Sequence, residues 1–312
     1  MEIWQLQQLQ TLSLQAKVMR TERKIKEWYT HWGGDVYVAF SGGRDSTVLL
    51  HIVRNLYPKV PAVFCDTGLE YPEIREFVKT IDNVTWLKPK LTFVQTLNKH
   101  GFPVVSKRVA HMLHQLRTTK SEGLRTLRLT GLHPNSGKTH PAGKVPEKWM
   151  FLRDAPFKIS PTCCDVMKKR PSAKYENETG RKVMTGRMCD DSFQRQQKWA
   201  QQGCNAFGAK RPHSEPLSHW LQSDIEQYVE QNCIPVSLLY EEPICADNSG
   251  CMFCMFGCHM EKREGRFQRM KRTHPKQWAY CMDKLGLREV CKFVGIPIEP
   301  SCQQTEMEIK DA

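Results

Sequence analysis

The first third of the chain alternates between apolar runs typical of buried strands and apolar positions at helical spacing. Residues 36–40 are almost all apolar, as in a strand buried on both faces of a parallel sheet. From Ser46 onward apolar residues recur every three or four positions, which predicts a helix. Residues 60–68 and 83–87 form two more strand-like runs, and Pro72 opens a helix between them. This order of elements predicts a doubly wound α/β sheet.

Flanking segments add helices and one more strand. Residues 1–32 have apolar positions at helical spacing, which predicts one helix over this range, residues 181–186 have the pattern of a short strand, and residues 223–232 have the pattern of a capped helix. We expect an α/β fold with a doubly wound, mostly parallel five-stranded sheet flanked by helices. The expected segments are an N-terminal helical segment (1–33), an α/β domain (34–243) and a C-terminal cysteine-rich, basic helical region (244–312).

The composition indicates a cytoplasmic protein with reactive or metal-binding thiols. The chain has 312 residues, 40% of them apolar, and no apolar run has the length that predicts a membrane span. The N-terminal stretch lacks the basic and apolar blocks of a secretory signal, so we expect a cytoplasmic location and no membrane partner. The 13 cysteines would stay mostly reduced there, which favours a metal site or redox chemistry over a disulfide framework.

The charge favours an anionic partner. Lysine and arginine number 46 against 33 acids, a formal net charge of +13, which suits a nucleotide, a nucleic acid or both. Basic residues gather at 106–131 and 261–278. In the second segment Phe267 and Trp278 lie among the basic residues, a pattern compatible with phosphate contacts and base stacking. Two solvated helix faces are the alternative.

The sequence Ser-Gly-Gly-Arg-Asp-Ser at 41–46 lies between the first predicted strand and its helix. Such a turn directs backbone N–H groups and the positive end of the helix into one concavity, which is an anion site. Gly42 and Gly43 leave room for a phosphate, and Ser41 and Ser46 add hydroxyl donors. Asp45 fits a site that also holds Mg²⁺ or a nucleotide hydroxyl. These features favour nucleotide phosphate binding over a plain tight turn.

Three further motifs make the pattern specific. Asp-Thr-Gly at 66–68 follows the second strand, Thr-Gly-Arg lies at 185–187 with Ser192 and Arg195 after it, and Trp-x-x-x-Asp-Ile begins at 220. Together with the loop at 41–46 they resemble the phosphoadenosine phosphosulfate (PAPS) reductase family of the N-type ATP pyrophosphatases, in the adenine nucleotide alpha hydrolase superfamily. The pattern is similar to that of bacterial and prophage PAPS reductase-like proteins. The resemblance runs from about residue 36 to residue 257.

The resemblance implies a nucleotide site. Its expected residues are Ser41, Gly42, Gly43, Asp45, Ser46, Thr47, Asp66, Thr67, Gly68, Gly186, Arg187 and Arg195. Asp45, Ser46 and Arg187 are the expected catalytic residues. The two arginines suit bidentate contacts to oxyanions, with ordinary surface arginines as the alternative. The spacing after Arg187 is one residue longer than in some members of the family, which weakens the assignment of Arg195.

The cysteines predict a metal site. Cys163 and Cys164 are adjacent, and Cys251-x-x-Cys254 can place two thiolates on one metal. This set resembles the iron–sulfur members of the adenylyl sulfate (APS) reductase branch, which implies a [4Fe–4S] cluster on these four thiolates. Three alternatives remain. They are a local site of Cys245, Cys251, Cys254 and Cys258, a zinc site of Cys251, Cys254, Cys258 and His259, and a set of reduced, buried thiols.

Three functions remain open at this point. The first is ATP-dependent adenylation of an acceptor, which a nucleic acid could supply, followed by sulfur insertion with Mg²⁺ and a sulfur donor such as a cysteine desulfurase. The second is reduction of PAPS or APS to sulfite with thioredoxin. That reaction uses a nucleophilic cysteine in a C-terminal Glu-Cys-Gly-Leu-His, whereas Cys302 lies in a different setting. The third is a non-catalytic nucleotide-dependent or metal-dependent binding module.

Overall fold

The structure, a computed structural model, describes residues 2–246, 249–261 and 264–299. The chain divides into two compact units. The first, which we call the sheet unit, consists of Met1–Asp66, Glu70–Lys88 and Arg170–Ser249. The second, the cysteine unit, consists of Thr67–Leu69, Pro89–Lys169 and Gly250–Ala312. The segment boundaries expected from the sequence stay a prediction.

The strands of the described residues are short. They are β1 (Val36–Ala39), β2 (Ala62–Cys65), β3 (Val84–Leu87), β4 (Val104–Val105), β5 (Lys182–Thr185), β6 (Asn205–Ala206), β7 (His213–Ser214) and β8 (Met255–Phe256).

The α-helices flank and connect these strands. They are α1 (Ile3–Gln10), α2 (Leu14–His31), α3 (Arg44–Leu56), α4 (Pro72–Lys79), α5 (Phe93–His100), α6 (Lys107–Thr118), α7 (Glu122–Thr130), α8 (Arg170–Thr179), α9 (Phe193–Gln202), α10 (Gln222–Gln231), α11 (Arg266–Thr273), α12 (Pro275–Ala279) and α13 (Leu287–Val294).

The sheet unit contains a sheet with the strand order β3-β2-β1-β5-β7-β6. Neighbours from β3 to β7 pair in parallel, whereas β6 pairs antiparallel with β7. The five parallel strands confirm the predicted doubly wound α/β class, and the two-residue β6 is an additional edge strand. Val36 and Val38 of the central β1 have no exposed surface, as their apolar run predicted.

The N-terminal segment forms two helices, so the expectation of one helix over residues 1–32 was wrong. The break falls at 11–13, where the Ser13 hydroxyl accepts the Ala16 N–H at 3.3 Å and caps α2. An N-cap serine starts a new helix because its side chain satisfies a first-turn donor. The apolar spacing alone did not reveal the break, because apolar residues continue at helical spacing from α1 into α2.

α2 is fixed to the sheet unit by buried polar contacts. Lys17 is 1% exposed, and its ammonium lies 2.6 Å from a carboxylate oxygen of Asp224. The same oxygen accepts the Leu221 N–H at the start of α10. Trp220 donates its indole N–H to the Thr21 hydroxyl at 2.9 Å. The Trp-x-x-x-Asp-Ile motif therefore anchors an N-terminal helix in this chain.

The cysteine unit surrounds a small parallel pair formed by β4 and β8. Val104, Val105 and Met255 of these strands are buried, together with Phe267 and Met270 of α11. Val105 has a φ of 61°, which is unusual for a β-branched residue and indicates local backbone strain. The strained residue pairs with Phe256, which lies between two of the clustered cysteines.

Within the described ranges, no helix combines the length and the apolar character needed to cross a bilayer.

We expect Lys17→Met to lower the free energy of unfolding by about 3–5 kcal/mol, because it leaves the buried Asp224 carboxylate without its counter-charge. Urea unfolding followed by circular dichroism measures the change. Lys24→Met in the same helix is the matched control, since Lys24 is paired with Glu27 at a more exposed position and should cost about 1 kcal/mol or less. Equal losses in the two variants would contradict the assignment.

Candidate functional site

The loop between β1 and α3 is held together by its own side chains. The Ser46 hydroxyl accepts the Ser41 N–H at 3.2 Å and donates to the Gly43 carbonyl at 2.9 Å. The Thr47 hydroxyl donates to the same carbonyl at 2.9 Å. α3 begins at Arg44 and is 13 residues long, so its first N–H groups lack intrahelical acceptors. The loop therefore presents backbone donors at the positive end of a helix, as an anion site requires.

Two glycines allow neighbouring elements to approach this loop closely. Gly42 has a φ of 72°, and a Cβ there would lie 2.9 Å from side-chain methyl groups of Ile74 and Val78 in α4. Gly186 follows β5, and a Cβ there would lie 2.8 Å from the Asp45 carbonyl oxygen. Contacts this short exclude a side chain at either position. The strand order thus places the end of β5 directly against the first turn of α3.

The predicted charged residues of the loop region interact electrostatically. Burial raises the pKa of Asp45, and the positive charges of Arg195 and Arg44 oppose this rise. The pKa of Arg195 is lowered, first by burial and then by the charge of Arg187. The structure therefore brings Asp45, Arg187 and Arg195 into one group, and the additional residue between the two arginines does not separate them.

Glu215 was missed by the sequence reasoning. Its carboxylate, in a buried side chain, lies 2.9 Å from the Arg187 guanidinium and 3.4 Å from the Lys198 ammonium. Arg195 has a different anchor, because it pairs with Asp191. The available signal was the position of Glu215 directly after β7, at the carboxyl edge of the parallel strands, where ligands of such sheets bind.

Tyr240 and Ser249 also lie at the loop and were not predicted. The Tyr240 hydroxyl accepts the Arg44 N–H at 3.3 Å, and the Arg44 guanidinium lies 4.2 Å from the centre of the tyrosine ring. A Cβ on Gly43 would lie 2.4 Å from the Ser249 hydroxyl. Both residues come about 200 positions after the loop, so no local motif connects them with it.

The Asp-Thr-Gly motif continues from β2. Asp66 is buried, and its carboxylate accepts a hydrogen bond from Arg75 at 3.0 Å. Thr67 and Gly68 belong to the cysteine unit. The Thr67 hydroxyl accepts the Leu69 N–H at 3.2 Å, and Gly68 has a φ of 73°. The motif thus forms a tight turn after the strand, and its role toward a nucleotide stays a prediction.

The four cysteines predicted to hold a cluster lie in the cysteine unit within electrostatic range of one another. Burial raises the pKa of the Cys163 thiol, and the neighbouring Cys164, Cys251 and Cys254 raise it further. The pKa of Cys254 rises to about 11, first through burial and then through Cys251. Two chain segments almost 90 residues apart therefore contribute thiols to one buried group. A shared positive centre would relieve the cost of holding thiolates there.

Within the described residues, no group of three or more histidine, cysteine, aspartate or glutamate side chains is close enough together to hold a metal ion. Cysteine thiolates are ligands that both zinc and iron–sulfur clusters take.

The remaining cysteines of the alternatives have other surroundings. Cys258 is buried, its pKa is raised first by burial, and its charge interacts with those of Cys254 and Cys291. The pKa of Cys281 is also raised, first by burial and then by Cys291 and Cys258. Cys245 belongs to the sheet unit. Cys302 lies outside the described residues.

One known family model matches most of this chain. Residues 35–132 and 128–263 match the model of the phosphoadenosine phosphosulfate reductase domain, and together they cover well over half of the chain. The chain belongs to the phosphoadenosine phosphosulfate reductase domain family. Membership confirms the family expected from the sequence.

Curated relatives match over different lengths. A phosphoadenosine 5'-phosphosulfate reductase of Photobacterium profundum is 31% identical over 25% of this chain and 30% of its own length. An uncharacterized protein of Methanocaldococcus jannaschii is 22% identical over 88% of this chain and 54% of its own length. An adenosine 5'-phosphosulfate reductase of Deinococcus radiodurans is 25% identical over 70% of this chain and 66% of its own length. The chain thus spans about a third to two thirds of these relatives.

Two solved structures are similar at low identity. A PAPS reductase of Candida auris in complex with phosphate has a TM-score of 0.41 and 15% identity, covering 76% of this chain and 89% of that one. The U34-tRNA thiolase NcsA of Methanococcus maripaludis, with its [4Fe–4S] cluster, has a TM-score of 0.36 and 12% identity, covering 88% of this chain and 80% of that one.

We expect Gly186→Ala to lower the free energy of unfolding by about 1–3 kcal/mol, because the new methyl group meets the backbone of Asp45 and Ser46. Gly208→Ala is the matched control. A Cβ at Gly208 would meet nothing within 4 Å, so the change should stay within about 0.5 kcal/mol. Chemical unfolding of the two variants measures the difference. A fully stable Gly186→Ala protein would refute the close approach.

Proposed function

We propose that the protein is an ATP-dependent sulfur-transfer enzyme that binds its nucleotide at the loop of residues 41–47. The observation that carries the proposal is the grouping of Asp45, Arg187 and Arg195 beside the first turn of α3. Guanidinium groups and backbone N–H groups suit phosphate oxygens. A carboxylate in the same place would repel the phosphates unless a cation lies between them. The combination therefore favours a triphosphate with Mg²⁺.

The proposed reaction has two steps. An oxygen of the acceptor attacks the α-phosphorus of ATP, a P–O bond forms, and the bond to the departing pyrophosphate breaks. A hydrosulfide equivalent then attacks the activated carbon, and AMP leaves with the original acceptor oxygen. The sulfur is delivered by a partner such as a cysteine desulfurase together with a thiol reductant that releases it. No net oxidation of the acceptor is needed.

Each residue has a distinct role in this proposal. Ser41 donates a hydroxyl hydrogen bond to the pyrophosphate. The Ser46 hydroxyl does the same on releasing the Gly43 carbonyl, to which it donates in this structure, and Asp45 orients the Mg²⁺ ion. Arg187 stabilises the charge that develops on the leaving phosphates, because Glu215 holds its guanidinium at 2.9 Å. Gly42, Gly43 and Gly186 keep side chains out of the phosphate position. The carboxyl end of β2, where Asp66 lies, is the proposed place of the nucleoside.

A [4Fe–4S] cluster on Cys163, Cys164, Cys251 and Cys254 is part of the proposal. When bound, it supplies a redox centre and joins two distant chain segments. The thiols themselves provide the argument, since burial and the neighbouring cysteines raise the pKa of both Cys163 and Cys254. Arg266 donates to the Cys254 carbonyl at 2.8 Å, so a positive charge lies beside this group and favours thiolates.

Thiol-dependent reduction of PAPS or APS is the second candidate. The reductases among the curated relatives favour it. It needs a mobile nucleophilic thiol that attacks sulfur and a second thiol, for example that of thioredoxin, that releases sulfite. A non-catalytic binding module is the third reading, and it requires nucleotide or metal binding without turnover.

We expect calorimetry to show ATP binding that Mg²⁺ strengthens, and Asp45→Asn to remove the effect of Mg²⁺. Pyrophosphate release with a cell extract as the acceptor source should fall on the order of 100-fold or more in Asp45→Asn. Asp35→Asn is the control, because Asp35 is an exposed acid of the same unit and should leave both properties unchanged.

Other nucleotides distinguish the remaining candidates. Binding of PAPS or APS but not ATP, with thioredoxin-dependent sulfite release, would replace the proposal with the reductase. Tight ATP binding with no turnover in the presence of any extract fraction would favour the binding module.

We expect anaerobically purified protein to contain about four irons and four labile sulfides per chain, as one [4Fe–4S] cluster requires. Alanine at Cys163, Cys164, Cys251 or Cys254 should abolish the visible absorption. Cys291→Ala is the control, since this buried thiol of the same unit is outside the proposed set. Loss in Cys258→Ala combined with retention in Cys163→Ala would indicate the local four-cysteine site. Stoichiometric zinc without iron would indicate the zinc site.

A further inference from the structure

The positive charge of the protein is concentrated in the cysteine unit. That unit contains 26 lysines and arginines against 12 acids, whereas the sheet unit contains 20 against 21. Within the cysteine unit, residues 89–169 hold 15 basic residues and only 4 acids. The unit with the predicted nucleotide loop is therefore nearly neutral. The net charge of +13 therefore comes from the cysteine unit, and its role must be sought there.

The basic segment at 261–278 explains less of it than residues 89–169 do, because acids of the same unit pair with four of its five described basic residues. Arg266 pairs with Glu261, Arg272 pairs with Glu264 at 2.9 Å, and Lys271 pairs with Glu299. Phe267 and Trp278, which the sequence suggested for base stacking, are both buried. The expectation of a stacking surface in this segment was wrong.

The basic segment at 107–153 has a different character. Lys107, Lys120, Lys138 and Lys148 are exposed, and none of them has an acidic partner within 4 Å in the described ranges. Local ion pairs exist in this segment at Arg125, Lys144 and Arg153. They use three of the four acids of residues 89–169, and all three are exposed, so they screen the charge only weakly.

Arginines in this segment are held by neutral groups. Arg117 donates to the carbonyl oxygens of Phe157 and Ala155 at 2.7 and 3.0 Å. Arg128 donates to the Gln115 side chain at 2.9 Å and to the Gly143 carbonyl at 2.8 Å. Carbonyl groups fix a guanidinium without cancelling its charge. These contacts also join α6, α7 and the following loop into one structure.

Aromatic side chains accompany the exposed lysines. Phe151 is 45% exposed, and Trp149 is partly exposed with the Lys148 ammonium 5.3 Å from its ring centre. Exposed aromatic rings next to cations stack on bases and neutralise phosphates. Protein–protein interfaces, in contrast, are depleted of lysine at their cores. The lysine-rich composition therefore favours a phosphodiester chain over an acidic protein.

We propose that residues 107–153, here named the basic surface, bind single-stranded nucleic acid. The lysines contact phosphates, and Trp149 and Phe151 stack on bases. The inference goes beyond the proposed reaction and does not depend on it, because binding needs neither ATP nor a cluster. Where both hold, the bound strand is the acceptor of the sulfur-transfer reaction. RNA and DNA share the phosphates and bases on which the argument depends.

The test uses the full chain. Fluorescence anisotropy measures binding of labelled single-stranded RNA and DNA, about 20 nucleotides long, without ATP, between about 50 and 200 mM salt. The variant has Lys107→Gln, Lys120→Gln, Lys138→Gln and Lys148→Gln together. We expect at least a tenfold loss of affinity near 0.1 M salt. The slope of log affinity against log salt should decrease by roughly 0.7 for each phosphate that the variant no longer neutralises.

The matched control removes the same charge from the sheet unit. It has Lys26→Gln, Lys59→Gln, Lys174→Gln and Lys210→Gln, at four exposed positions. Its affinity should stay within about threefold of the wild type. A double variant, Trp149→Ala and Phe151→Ala, should weaken binding without changing the salt slope, because stacking carries no net charge.

Four outcomes would overturn the inference. They are no binding of either strand at the lowest salt, equal losses in the two lysine variants, binding of duplexes alone, and unchanged affinity in the aromatic variant. A preference for RNA or for DNA identifies the type of nucleic acid that the protein binds, and either preference supports the inference. ATP calorimetry on the same variants separates this inference from the proposed function. The variants can lose nucleic-acid binding at the basic surface and still bind ATP at residues 41–47.

Discussion

The sheet unit depends on a close approach between two backbones that only glycine permits. β1 and β5 pair in parallel from Val36 to Ala39, so the chain leaves β5 beside the first turn of α3. A Cβ at Gly186 would lie 2.8 Å from the Asp45 carbonyl oxygen. Because Arg187 follows Gly186 directly, this approach also places Arg187 at the loop. Arg195, in the first turn of α9, lies near the loop as well. The positions of the charged groups thus follow from strand order and a missing side chain.

The elements whose structure depends on local sequence could be predicted from the sequence. β1, the glycine turn and α3 follow from one contiguous apolar pattern, because strand burial, turn conformation and helix capping are each set within a few residues. Glu215, Tyr240 and Ser249 were missed, since they reach the loop only through the strand order and the connection after α10. The break between α1 and α2 was missed because the apolar spacing continues across it, although Ser13 was visible as a capping residue.

The cysteines and the basic segments show the limit of composition as a guide. Cys163 and Cys254 were grouped by a family pattern, and the structure brings them within electrostatic range, but spacing alone could not separate them from the thiols around Cys258. The segments 106–131 and 261–278 looked equivalent in sequence. They differ because Glu261, Glu264 and Glu299 pair with the basic residues of only the second segment. Whether a charge is compensated depends on tertiary contacts.

Two kinds of electrostatics therefore operate in this chain, and they suit ligands of different size. At the loop, Arg187 and Arg195 are each held by a carboxylate, so their field is short-ranged and their geometry is fixed, which suits one small anion bound in one orientation. In residues 89–169 the charge is largely uncompensated. Its field extends over about a Debye length of 8–10 Å at physiological salt, which suits a long polyanion that is attracted before it is oriented. A protein whose only anionic ligand were a mononucleotide would need the first arrangement and gain nothing from the second.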